Sequence, residues 1–231
     1  MREIVLDTET TGLNPLGGHR IVEIGCVELV NHVATGNVYH QYVNPERDMP
    51  QEAFQVHGLS EEFLATHPRF EEVADDFLVF IGDATLIIHN AQFDMGFINA
   101  ELARLDRAAV PMDRAIDTVR LAREKFPGAQ ASLDALCRRF QIDNSARSKH
   151  GALLDSELLA EVYLELIGGR QPDLELASEK VPVTEMVQAT GPETDEGSIL
   201  RQARKHSPTE AELLRHAEFI DRLENPIWRT E

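Results

Sequence analysis

The chain has 231 residues, 42% of them apolar, enough for one sizeable core plus a tail or for two small domains, and this excludes a disordered protein. Its 40 acidic and 22 basic residues leave a net charge of −18, which excludes the basic face by which a protein grips duplex DNA unaided. No run of 18 apolar residues occurs, so no membrane-spanning helix is expected, and the start, Met-Arg-Glu-Ile-Val-Leu-Asp, lacks the apolar stretch of a secretory signal, so a cytoplasmic setting is expected.

Residues 2–7 read as a strand, with Ile4, Val5 and Leu6 as a short buried run, broken at Thr11-Gly12. Residues 20–30 and 37–43 are also strand-like. Asn31 and His32 lie in the connection, so the first three strands form an antiparallel meander that Asn44-Pro45 ends. The pattern then turns helical. Residues 70–81 place Phe70, Val73, Phe77, Leu78 and Ile81 at helical spacing; 84–89 is a further strand; 94–106 carries Phe97, Ile98, Leu102 and Leu105 on one face. Ala115-Ile116-Asp117 is a short strand before a helix ending near Phe126-Pro127-Gly128. Ser132 caps a helix at 133–140, and 151–167 is a long helix stopped by Gly168-Gly169. The order implies an α/β fold: a mixed five-stranded sheet, antiparallel meander plus parallel strands, flanked by helices. Cys26 and Cys137, far apart in apolar contexts, read as buried small residues of a reducing compartment.

After residue 172 the periodicity lapses. Residues 173–197 hold Pro182, Gly191, Pro192 and several acids, as a flexible linker does. Residues 208–224 regain a helical stripe with Leu213, Leu214, Ala217, Ile220 and Leu223, beginning at Ser207-Pro208.

Three segments concentrate polar groups at the ends of apolar ones. Asp7 and Glu9 stand two apart on a strand, so they share a face about 7 Å apart, within reach of metal ions about 4 Å from each other. Asp7 follows three buried residues, and a buried carboxylate calls for a cation. Asp94 opens the helix after the strand 84–89. It serves equally as a simple cap there, but if the first and fourth strands are neighbours it faces Asp7 and Glu9. Asp155 sits in the first turns of the 151–167 helix. His150 can reach the same cleft from the preceding loop if Gly151 permits the bend. Polar residues 145–149 suit a loop that closes on substrate. Each residue singly has a plainer reading as a cap, a solvated acid or a loop histidine.

Taken in order, Asp7-x-Glu9-Thr-Thr-Gly, Asn90-x-x-Phe93-Asp94 and His150-x4-Asp155 resemble the DEDDh exonucleases of the RNase H-like superfamily, over roughly residues 1–170. The segments Ile21-Val22-Glu23-Ile24-Gly25, Glu52-Ala53-Phe54-Gln55-Val56-His57-Gly58-Leu59 and His150-Gly151-Ala152-Leu153-Leu154-Asp155 are similar to the branch that proofreads for bacterial replicative polymerases. The resemblance implies an RNase H-like fold and 3′→5′ release of nucleoside 5′-monophosphates. Two divalent cations, Mg2+ with Mn2+ able to substitute, would be held by Asp7, Glu9, Asp94 and Asp155. His150 would be the general base toward the attacking water. Asp7, Glu9, Thr10, Glu52, His57, Asn90 and Asp155 would bind the 3′-terminal nucleotide, although His57-Gly58 alone reads as an ordinary loop.

The domains expected are a nuclease at 1–170, a linker at 171–197 and a polymerase-binding segment at 198–231. Gln171-Pro172-Asp173-Leu174-Glu175-Leu176 resembles a sliding-clamp motif anchored by Gln171, Leu174 and Leu176, and is equally a plain linker. The segment ending in Trp228 would dock on the catalytic (alpha) subunit of the polymerase, which would hand a single-stranded or frayed DNA 3′ end to this acidic chain. A free-standing exonuclease acting on RNA or short oligonucleotides is the alternative. A scaffold with a decayed site is disfavoured by the intact five-residue set.

Overall fold

A computed structural model describes residues 1–145, 147, 149–169 and 208–222. The chain divides into two units, Met1–Ala177 and Ser178–Glu231. Gln171, Leu174, Leu176, Trp228 and the linker at 171–197 lie outside the described residues.

The first unit is built on a five-stranded sheet of order β3-β2-β1-β4-β5. Strands β1 (Arg2–Thr10), β2 (Ile21–Val30) and β3 (Val33–Tyr42) form the expected antiparallel meander. Strands β4 (Thr85–Ile88) and β5 (Ala115–Asp117) add on parallel to β1 and to β4 respectively. Side chains alternate along β1, so the strand feeds two cores. Ile4 and Leu6 pack with Phe70 and Phe77 of α3 (Phe70–Ile81) and Phe97 and Ile98 of α4 (Ala91–Arg104). Val5 packs on the other face with Leu136 of α6 (Leu133–Phe140) and Leu158, Leu159 and Val162 of α7 (Ala152–Leu166). Each such side chain, fully removed from water, contributes roughly 1.5–3 kcal/mol. Both cysteines are buried and free, as expected.

Helix α5 (Thr118–Lys125) begins directly after β5, with the Asp117 side chain accepting from the Val119 N–H. Ser132 caps α6 through its side chain, accepting from the Ala135 N–H. In the second unit α8 (Glu210–Asp221) starts from a Thr209–Glu212 capping box, two residues beyond the expected start.

Several boundaries differ from the sequence reading. Strand β1 runs to Thr10, because β2 supplies ladder partners for the polar residues Asp7 to Thr10. Residues 51–64, to which the sequence pattern assigns no element, contain α1 (Gln51–His57) and α2 (Glu61–Leu64). Both are too short to display a helical period. Gly58 in the left-handed region (φ 78°) closes α1, so His57 belongs to a helix end and not to an ordinary loop.

One glycine fixes where α7 sits. Gly25 pairs with Asp7 across the β1–β2 ladder, and a Cβ at this position would collide with the backbone of Ala152 and Leu153. Its carbonyl accepts from the buried Ser156 hydroxyl at 3.0 Å. The far end of α7 is tied to β1 by the Tyr163 hydroxyl, which donates to the buried Glu3 carboxylate at 2.8 Å. Gly25→Ala should therefore push the first turns of α7 off the sheet. We expect a loss of roughly 1–3 kcal/mol in urea unfolding. Activity should fall further than the unfolded fraction explains, because Asp155 moves with the helix.

Candidate active site

The site forms where β1 outruns its parallel neighbour. Pairing with β4 stops at Leu6↔Ile88, and Asp7 to Thr10 continue past the end of β4, where α4 begins. This is the carboxyl end of parallel strands, where open α/β sheets leave a crevice. Asp7 and Glu9, two apart, share the face of β1 that packs on α7. There Asp7, His150 and Asp155 line a crevice of about 230 Å3. Ligand atoms of Glu9, His150 and Asp155 all lie within 4.8 Å of one another.

Asp94 joins from α4. It sits in the first turn and is buried, its Oδ1 accepting from the Thr8 N–H at 3.0 Å and the Thr8 hydroxyl at 2.7 Å. It is thus pinned to the middle of the Asp7-Thr8-Glu9 run, as the adjacency of the first and fourth strands requires. The helix cap is Asn90, in the left-handed region at φ 67°. His150 lies in the loop before α7, as expected, with a side chain 49% exposed. Gly151 has φ −158°, extended backbone open to any residue, so its lack of a side chain is not what turns the chain. The His150 loop rests instead on α1: the His150 N–H donates to the Val56 carbonyl at 3.2 Å, and Lys149 Nζ stands 5.1 Å from the centre of the Phe54 ring.

The electrostatics are those of crowded anions. Burial pushes the Glu9 carboxyl up to about 8, with Asp155, Glu23 and Asp94 adding to the effect. Burial pushes Asp94 up to about 7 against the opposing pull of its Thr8 bonds. Burial, then Asp94, Glu9 and Asp155, raise Asp7 well above the ordinary range. Asp155 goes the other way. Burial would raise it, but the adjacent His150 and Arg147 side chains outweigh that and hold it below the usual value.

Arg147 was not anticipated. Its Nε donates to Asp155 Oδ1 at 2.5 Å, and one terminal nitrogen donates to Asp155 Oδ2 at 2.6 Å. The other terminal nitrogen donates to Asp134 at 2.7 Å. No sequence signal marked it beyond being a cation three residues before His150. Thr8, the anchor of Asp94, was hidden inside the Asp7-x-Glu9 spacing.

The other expected nucleotide-binding residues are spread over β1, α1 and the start of α4. Thr10 is buried, and its hydroxyl donates to the Gly12 carbonyl at 2.6 Å. His57 is buried at the end of α1, its Nδ1 accepting from the Leu59 N–H at 3.0 Å. Burial lowers the His57 pKa, while Glu23 and the Thr10 backbone act in the opposite sense. Glu52 lies exposed in the first turn of α1. Asn90, Arg120 and Arg123 line a second depression of about 750 Å3.

The donor set suits hard divalent cations. It offers several carboxylate oxygens and no thiolate, clustered where like charges are otherwise unbalanced.

A family profile described as exonuclease matches residues 4–163. The chain is 51% identical over 227 residues to the DNA polymerase III subunit epsilon of Rickettsia prowazekii, covering 96% of this chain and 97% of that protein. It is 45% identical over 242 residues to the subunit of the same name from Escherichia coli, covering 99% and 97%. Among solved structures it is similar to exonuclease X in complex with 5′ overhanging duplex DNA. That match has a TM-score of 0.58 and 26% identity, over 71% of this chain and 90% of the other. The nuclease domain of 3′hExo, a DEDDh family member bound to rAMP, shares the fold with a TM-score of 0.62 and 20% identity, over 72% and 91%.

Proposed function

The chain belongs to the exonuclease family, with the DNA polymerase III epsilon subunits as relatives, and from this premise we propose a proofreading role: it removes mispaired 3′-terminal nucleotides from DNA. One observation carries the reading. Asp7, Asp155 and His150 line one crevice, Glu9 lies within ligand distance of His150 and Asp155, and Asp94 is pinned to Thr8 between Asp7 and Glu9, so four carboxylates and a histidine from β1, α4, α7 and the loop before α7 cluster in an arrangement that suits added cations.

The enzyme is a divalent-metal-dependent hydrolase. Asp7, Glu9, Asp94 and Asp155 would hold two ions, Mg2+ with Mn2+ able to substitute. The ions supply charge neutralisation to a phosphoryl group under attack. The protein's own groups do the rest. The two Thr8 bonds orient Asp94. His150, accessible and 3.2 Å from Asp155 through Nδ1, takes the proton of the attacking water as general base. Thr10, Glu52, His57 and Asn90, with Asp7, Glu9 and Asp155, hold the terminal nucleotide. His57, kept neutral by burial, can meet sugar or base without adding charge.

The net charge of −18 fits a subunit that does not collect duplex DNA unaided. Residues 198–231, including Trp228, bind the polymerase catalytic (alpha) subunit. Gln171, Leu174 and Leu176 anchor a sliding clamp. This role implies a cytoplasmic setting, and among the described residues no helix is long and apolar enough to cross a membrane.

Comparing a mispaired DNA primer, a paired primer and an RNA oligomer, with and without Mg2+, tests the assignment. The mispaired primer should be shortened fastest, since a frayed end is already unpaired. Preference for RNA would point to the free-standing alternative. A chain ending near residue 180 should keep the nuclease activity and lose polymerase binding, measured by co-elution with the catalytic subunit. Unchanged binding would refute the docking role of the tail.

A further inference from the structure

We propose that Arg147 is an exchangeable counterion of Asp155: it holds that carboxylate in the ion-free chain and yields it to a divalent cation. The inference rests on the metal-site reading above.

Both Asp155 oxygens are engaged by one guanidinium, at 2.5 and 2.6 Å, and both partners are buried, with side chains 8% and 4% exposed. Such a fork takes the lone pairs that an incoming cation needs, and its charge repels that cation. Guanidinium and ion therefore compete for one carboxylate. Among the described residues lining the crevice, Arg147 is the only arginine or lysine. It supplies the positive charge that four clustered acids lack when no ion is present.

The exchange has a structural path. Arg147 lies in the connection between α6 and α7, outside any helix or strand, so its side chain can swing without breaking an element. Its third arm already bonds Asp134, a residue 51% exposed at the crevice rim. Leaving Asp155 thus moves the guanidinium outward along a contact it already has.

The same exchange sets His150 free. The Arg147 nitrogen that bonds Asp155 also lies 2.8 Å from His150 Nδ1, which is itself 3.2 Å from Asp155. One Nδ1 cannot accept from the guanidinium and donate to the carboxylate together. While Arg147 holds Asp155, the imidazole is tied to an arginine. Once it leaves, Nδ1–H can donate to Asp155 and Nε2 is left as the basic atom.

Calorimetric titration of the ion-free full-length protein with Mn2+, without DNA, tests the exchange. Arg147→Gln should bind Mn2+ about tenfold more tightly than wild type, because the competitor is gone. Arg147→Lys, charged but unable to fork, should fall between them. Circular dichroism establishes that each variant is folded. If Arg147→Gln does not fold, Arg147→Lys decides, and its affinity must exceed that of wild type. Equal or weaker binding by the folded variants overturns the exchange alone. Absence of Mn2+ binding in every protein, wild type included, overturns the metal-site reading and the exchange with it.

Discussion

Asp7→Asn should abolish nucleotide release and at the same time raise the thermal stability of the ion-free protein. The two effects have one cause. Asp7 follows three fully buried residues of β1, Ile4 to Leu6, and it shares its surroundings with Asp94, Glu9 and Asp155. An ordinary buried residue loses stability when its polar group is altered. Here the amide keeps the shape and removes a carboxyl whose ionised form the apo fold accommodates poorly. Without ions the variant should melt a few degrees higher than wild type, on the order of 1–2 kcal/mol for a chain of this size. With Mg2+ present the order should reverse, because the variant lacks a ligand. Activity should fall by roughly 10³-fold or more, as expected when charge stabilisation of a phosphoryl transition state is lost. Retention of full activity, or a lower apo melting temperature, would sink the assignment. Glu9→Gln should behave alike, with His57→Ala affecting substrate KM instead.

The second large effect is a pH dependence that ions remove. Glu9 is pushed up to about 8 and Asp94 to about 7, from ordinary values of 4.5 and 3.8, and Asp7 is raised as well. Between those limits the folded chain holds protons that the unfolded chain has released. The state that binds more protons loses ground as pH rises. Ion-free stability should therefore decline from about pH 5 to about pH 8, and level off once these carboxyls are ionised in the folded state. Asp155 is displaced downward, so its contribution is lost only under more acid conditions and does not reverse the trend. Divalent cations favour the ionised form. Their stabilisation should be small near pH 5 and reach roughly 5 °C or more near pH 8. Melting curves with chelator and with Mg2+ at several pH values decide it. A melting temperature of the ion-free protein that rises across this window would contradict the account.

Much of this site was legible because its signals are local. Asp7 and Glu9 are fixed by the two-residue period of a strand, Asp94 follows an apolar strand that ends at the sheet edge, and Asp155 falls in the first turns of a long helix. Ordering the motifs then recovered what no single residue carried. The unread parts depend on contacts distant in sequence. Helix α1 was missed because seven residues show no period, yet it supports the His150 loop through Val56 and Phe54. Gly25 read as one letter of a strand, whereas the backbone of α7 lies against it. Gly151 invited a conformational explanation that its extended φ does not require. Arg147 matters only because the fold brings its loop over Asp155.

The docking of α7 against β1 and β2 also has a consequence in time. The Ser156–Gly25 bond joins residues 131 positions apart, and Asp155 lies beside it on the same helix. During synthesis the meander and Asp94 leave the ribosome well before α7 exists. At about 5–20 residues per second, α7 trails the meander by several seconds. Throughout that interval the face of β1 that α7 will cover has no partner, and the emerging chain has three acids but neither Asp155 nor His150. On the proposed site assignment, nascent chains should therefore be inert toward nucleic acid ends, with hydrolytic competence arriving when the last helix of the catalytic unit closes onto the sheet.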